Sequence, residues 1–246
     1  MSSTAQPTQP PGDTQADGAK KQTFRGQQLT AAERFVAALT RYIPDEEVGH
    51  RGNRAALAAL RRALGKPIGE ALDAFPYVVP LLPSGLKPWD EQRYYLVASL
   101  FALNPRPWLG QRHQSLGLAL RLLARSQSDA RSGDDAGAES DNARDKLDPA
   151  VERRFVALLN ASGDGLTTHL RHAVTLLNSH DQRIDWAQLL SDMRDWEHPD
   201  RWVQRRWAHD FWTGGARDVR PSGDDDNGAA SDVDDAIGGG EGDHNP

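Results

Sequence analysis

The chain has 246 residues, a formal net charge of −6 and no cysteine. Its length and its 38% hydrophobic content suffice for one or two domains with a core, and the missing cysteine excludes disulfides, thiolate zinc sites and a thiol nucleophile. The first 21 residues lack the apolar region of a signal peptide, and the longest apolar stretches, Tyr94–Leu103 and Leu116–Ala124, are too short and interrupted to span a bilayer, so a soluble, cytoplasmic protein is expected.

Residues 1–23 are rich in Pro, Gln, Thr and Gly and are predicted to be disordered. A first helical block is expected over 24–125. It opens on the capping box Thr30-Ala-Ala-Glu33, after which Phe35, Val36, Leu39 and Ile43 recur at helical spacing. Pro44 stops that helix. Asn53 caps a second helix bearing Leu57, Leu60 and Leu64, which Gly65 and Pro67 end. A short segment covers Glu70–Leu82. Asp90 begins a helix with Tyr94, Val97, Leu100 and Phe101 inward. Ser115 begins another, Leu116–Arg125, apolar nearly all round and expected to be central.

Residues 126–147 are poor in apolar side chains and read as an acidic flexible insert. A second helical block is expected over 148–212. Asp148-Pro149 is an N-cap with proline at the first helical position, and Val151, Phe155, Leu158 and Leu159 form the stripe behind it. Asn160–Gly165 reads as a turn. Leu166, Leu170, Val174 and Leu177 follow. Asp185 caps a helix with Trp186, Leu189, Leu190, Met193 and Trp196, and Pro199 begins the last one, with Val203, Trp207 and Phe211 inward. Residues 213–246 are predicted to form a disordered acidic tail. No segment alternates as a strand does. The expectation is an all-α bundle of about eight to nine helices in two blocks.

The charge is uneven along this plan. Residues 213–246 carry a net −7 and 126–148 a net −4, so with a neutral 1–23 the rest carries +5. A basic body between acidic segments points to a polyanionic partner.

Motifs of catalysis are weak. There is no phosphate loop, dinucleotide turn or His-Glu-x-x-His. The Asp-rich runs 224–226 and 232–235 lack an EF-hand register. His180-Asp181 and His209-Asp210 resemble the pair used by HD-type metal-dependent phosphohydrolases, and His169 and His172 stand at i, i+3, but neighbouring helical residues diverge by about 100° and make no site alone. Asp192 and Asp195 read as a polar helix face. No cofactor and no metal are expected. A helical adaptor that touches only proteins is a second alternative.

The cations are mostly arginine, whose planar fork matches phosphate and stacks on bases. Arg54 and Arg61 flank the Leu57/Leu60/Leu64 stripe. Arg121 and Arg125, and again Arg201 and Arg205, are i, i+4 pairs, with Arg206 beside the second. Five of seven Trp fall between Trp186 and Trp212; Trp186, Trp196 and Trp207 are at core spacing, while Trp202 and Trp212 fall off the stripe.

The run Ile184-Asp-Trp-Ala-Gln-Leu-Leu190, with Trp196, Pro199-Asp-Arg201 and Gln204-Arg-Arg-Trp207…Asp210-Phe211, resembles the C-terminal region of the CasB family, the small subunit of the type I-E CRISPR surveillance complex Cascade. Ser115-Leu-Gly-Leu-Ala-Leu120, Glu152-Arg-Arg-Phe155, Leu170-Arg-His172 and Arg54 with Leu60-Arg-Arg62 fit the same pattern. The resemblance implies an all-helical, non-catalytic protein. It would sit in two copies beside the crRNA-carrying backbone and large subunits and hold the displaced single strand of target DNA in the R-loop. By position it places nucleic-acid contacts at Arg61, Arg62, Arg112, Arg121, Arg125, Arg171, Arg201, Arg205 and Arg206, with Lys87 before Pro88-Trp89. Arg153 and Arg154 would serve nucleic acid or a neighbouring subunit. Asn160 and Gly163 stand where that pattern favours a basic residue.

Overall fold

In the computed structural model, which describes residues 31–110, 112–132 and 147–214, nine helices run through the described residues. They are α1 at 31–40, α2 Arg54–Ala63, α3 Phe75–Val78, α4 Pro88–Leu103, α5 Leu116–Ser132, α6 Pro149–Leu159, α7 Gly163–Ser179, α8 Trp186–Arg194 and α9 Trp202–Thr213. The stretch predicted as one segment at Glu70–Leu82 is instead α3 flanked by 3-10 turns at Ile68–Glu70, Leu72–Ala74 and Val79–Leu81. No strand occurs among the described residues, and the fold is all-α as expected. The predicted tail 1–23, the cap at Thr30, residues 133–146 of the predicted insert and residues 215–246 lie outside the described residues.

Local capping sets several starts. The Asn53 side chain accepts from the Ala56 amide at 2.9 Å. Asp148 accepts from the Ala150 and Val151 amides at 2.8 and 3.0 Å, and Asp185 from the Gln188 amide at 2.9 Å. Each bond satisfies an amide that has no partner inside its helix.

Several boundaries differ from the sequence expectation. α1 ends at residue 40, short of Ile43, and α8 ends at Arg194, so Trp196 reaches the core from beyond that helix. α4 starts at Pro88, two residues before Asp90, because a proline at the first helical position gives up an amide the helix does not use. α5 continues to Ser132, into the stretch read as linker, and Arg131 on that extension pairs with the buried Asp148 that caps α6. α7 begins at Gly163, so the predicted turn after α6 shortens. α9 begins at Trp202, because Arg201 sits in the left-handed region at φ 49° and cannot join the helix.

One hydrophobic core runs through helices on both sides of the predicted insert. The C-terminal half of α4 is buried all round, residues 97–102 without exception, while its first turns are partly exposed; α5, expected to be central, turns Leu122 outward at 44% exposure. Phe101 meets Trp186 edge to face at 5.8 Å, Phe155 stacks on Phe211 at 4.2 Å, and Trp196 lies 4.9 Å from Trp207. The core placement read from the spacing of Trp186, Trp196 and Trp207 holds, and each such side chain contributes roughly 1.5–3 kcal/mol on burial.

The α5–α9 crossing is close. A side chain at Gly117 would run into the Trp207 carbonyl. Ser115 Oγ donates to Asp210 Oδ2 at 2.5 Å on one side of this contact, and Arg121 donates to the Phe211 carbonyl at 2.8 Å on the other. The loop before α5 is sewn to the loop before α8: Trp108 N donates to Ile184 O at 2.9 Å and Ile184 N to Arg106 O at 3.1 Å. No helix among the described residues is long and apolar enough to cross a membrane.

Candidate nucleic-acid interface

α6 and α7 form a hairpin joined by residues 160–162. On α6, Ala150, Arg153, Arg154 and Ala157 recur at i, i+3/i+4, i+7. On α7, His169, His172, Ala173, Leu176 and Ser179 do the same. The two stripes line one groove of about 980 Å³, with Leu120 of α5 and Phe155 on its floor. Alanines at 150, 157 and 173 leave the space between the helices open. Arg153, Arg154 and Arg171 are exposed on its walls, and no carboxylate lines it. None of the three makes a salt bridge with a described residue. The nearest acid on the hairpin's first turn, Glu152, is turned to the Trp212 indole, which donates to it at 2.9 Å.

The groove therefore unites three of the sequence candidates. From sequence its two histidines read as a loose metal pair, and His172 also as part of the Leu170-Arg-His172 match. Their rings stand 6.4 Å apart, edge to face, and no group of three metal-binding side chains exists among the described residues.

The other candidates are scattered. Arg61 is exposed and its Nε donates to Ala102 O at 2.6 Å. Arg62 is exposed, 3.7 Å from Asp73, and lines a smaller hollow with Lys66, which the sequence reading did not name. Lys87 lies 4.9 Å over the exposed Trp89 ring. Arg112, Arg125 and Arg205 are exposed.

Three candidates have other work. Arg121 is 6% exposed and spends its guanidinium on the C-terminal carbonyl of Phe211, so it does not face solvent as expected. Arg201 donates to Leu159 O and, outside α9, shares no helical face with Arg205. Arg206 pairs with Asp192 and lies 5.2 Å over the Trp202 ring.

Asp192 itself corrects the sequence reading. It is not on a polar face but 1% exposed. It accepts from Arg206, from the Trp207 indole at 2.6 Å and from Gln188 Nε2 at 2.7 Å. Burial pushes its carboxyl above the ordinary carboxylate range, opposed by Arg206 and the two neutral donors. The His-Asp pairs are also engaged structurally. Asp210 receives Ser115, His209 bonds Thr213 at 3.1 Å, and His180 meets Gln127 at 3.0 Å.

Comparison with known proteins supplies the context. A family model described as CRISPR-associated protein Cse2 matches residues 56–212. A CRISPR-associated protein Cse2 of Thermus thermophilus is 34% identical over 189 residues, which cover 76% of this chain and 94% of that protein. The crystal structure of CasB from Thermus thermophilus superposes with a TM-score of 0.54 at 33% identity, covering 74% of this chain and 97% of that one. A chain of a CRISPR RNA-guided surveillance complex gives a TM-score of 0.54 at 28% identity, covering 75% and 92%.

Proposed function

The chain belongs to the CRISPR-associated Cse2 family, and from that premise we propose that it is a non-catalytic small subunit of an RNA-guided Cascade complex that holds the displaced DNA strand of the R-loop. The observation that carries the reading is the acid-free groove bearing Arg153, Arg154 and Arg171. A displaced strand is a flexible polyanion without a fixed partner. Exposed guanidiniums along a groove bind such a strand through phosphate without reading its sequence. R-loop formation is a near-balanced strand exchange, so modest contacts to the freed strand tip it.

On this reading the protein works in the cytoplasm, beside the crRNA-carrying backbone and large subunits and a second copy of itself. It needs no cofactor. The test is an assembled complex carrying Arg153→Glu, Arg154→Glu and Arg171→Glu. Its R-loops on matched target should dissociate faster than those of the unaltered complex. An unchanged lifetime with normal assembly contradicts the proposal and favours an adaptor that touches only proteins.

A further inference from the structure

The groove holds more than phosphate ligands require. A strand bound through phosphate alone needs cations on a surface. Here the cations rim a recess whose floor is apolar, made by Leu120, Phe155, Ala157, Ala173 and Leu176. The recess is about 980 Å³, at the upper end of sizes that enclose a small organic ligand. His169 and His172 stand on its α7 wall with their rings 6.4 Å apart. Neither ring forms a salt bridge with a described residue.

An apolar floor flanked by imidazole rings and guanidiniums suits a planar heterocycle attached to a phosphate chain. We infer that the α6–α7 groove seats an unpaired nucleobase against His169 and His172, with Arg153, Arg154 and Arg171 holding the flanking phosphates. The inference rests on the strand-binding reading above and gives it a base-binding component. Imidazole and guanidinium planes both stack on bases, and every base offers a face, so the seat is tolerant of sequence. A base stacked inside a duplex presents no free face, so the seat also distinguishes a displaced strand from duplex.

The test uses the full chain and two fluorescent oligonucleotides of equal length and charge, one of oligo-dT and one with abasic sugars throughout. Oligo-dT should bind about tenfold more tightly, the scale of one or two stacking contacts. His169→Ala with His172→Ala should abolish that preference and leave the salt dependence intact. His169→Phe with His172→Phe should restore it, which a purely electrostatic role for the histidines does not allow. Equal binding of the two oligonucleotides by the unaltered chain, with salt dependence retained, overturns the base seat and leaves the proposed function standing. Binding of neither overturns both. A preference that survives both alanine substitutions places the stacking elsewhere and also overturns the seat.

Discussion

The Arg121 guanidinium on α5 donates to the Phe211 carbonyl near the end of α9 at 2.8 Å, and it does so from a buried position. A cation at a helix C-terminus meets the negative end of the helix dipole as well as an unsatisfied carbonyl. Arg121 therefore belongs to the architecture that carries the groove, one residue from Leu120 on its floor.

Replacing Arg121 with Ala removes this bond and leaves the carbonyl buried, at a cost of about 1.5–3 kcal/mol. That corresponds to a fall in Tm of roughly 3–12 °C for a chain of this size. Thermal unfolding should show the loss, whereas the salt slope of single-strand binding by the folded variant should not change.

Gly117→Ala tests the α5–α9 contact. Alanine is the better helix former by about 1 kcal/mol, so an open site would gain stability. Here the new methyl meets the Trp207 carbonyl and the helices must part. Overpacking of this kind costs about 1–3 kcal/mol, and Tm is expected to fall. A rise in Tm would show that the crossing is looser than described.

Asp192→Asn leaves Arg206 without its anion and turns an acceptor of three donors into a poorer one. Breaking a buried pair costs up to about 3–5 kcal/mol, but Arg206 is 34% exposed and burial already disfavours the Asp192 anion, so the expected loss falls below that range. The pH dependence has a definite sign. Burial raises the Asp192 pKa, so the folded chain binds this proton more tightly than the unfolded chain does. Its contribution to stability is greatest below the ordinary carboxylate pKa and declines as pH rises through the raised value. Denaturant midpoints across that window should decline for the unaltered chain through this group, and the decline should be smaller in Asp192→Asn.

The His209-Asp210 pair makes a contrasting prediction. Both residues bond within the fold, to Thr213 and Ser115. Added Mn²⁺ should give no turnover of a generic phosphodiester. Turnover lost on His209→Ala would instead support a hydrolase.

The features legible in the sequence were those that depend on neighbours along the chain. Asn53, Asp148 and Asp185 cap because the amides they reach lie two or three residues away. Trp186 and Trp207 mark the inward faces of α8 and α9 for the same reason, whereas Trp196, read with the α8 stripe, lies beyond the end of that helix. What escaped was decided across helices. Asp192 looks like a surface acid until Trp207 and Arg206, 15 and 14 residues later, fold over it. Arg121 shares a helical face with Arg125 in sequence, yet α9 covers one and leaves the other exposed. The extension of α5 escaped because its composition is polar; Arg131 anchors it through Asp148, beyond a stretch that reads as linker. The groove needed two antiparallel stripes, and no single segment displays both. Its arginines were nameable by position, but their union with His169 and His172 required the hairpin.

In the proposed function, Arg153, Arg154 and Arg171 together neutralise a single strand. The most direct measurement is the salt dependence of oligo-dT binding by the full chain, compared with a variant carrying Arg153→Ala, Arg154→Ala and Arg171→Ala. Each phosphate contact on a single strand contributes about −0.7 to the log–log slope. The expected slope is shallower by about 2 in the variant, with weaker binding at low salt. Identical slopes and affinities in a variant that unfolds at the same temperature would contradict it.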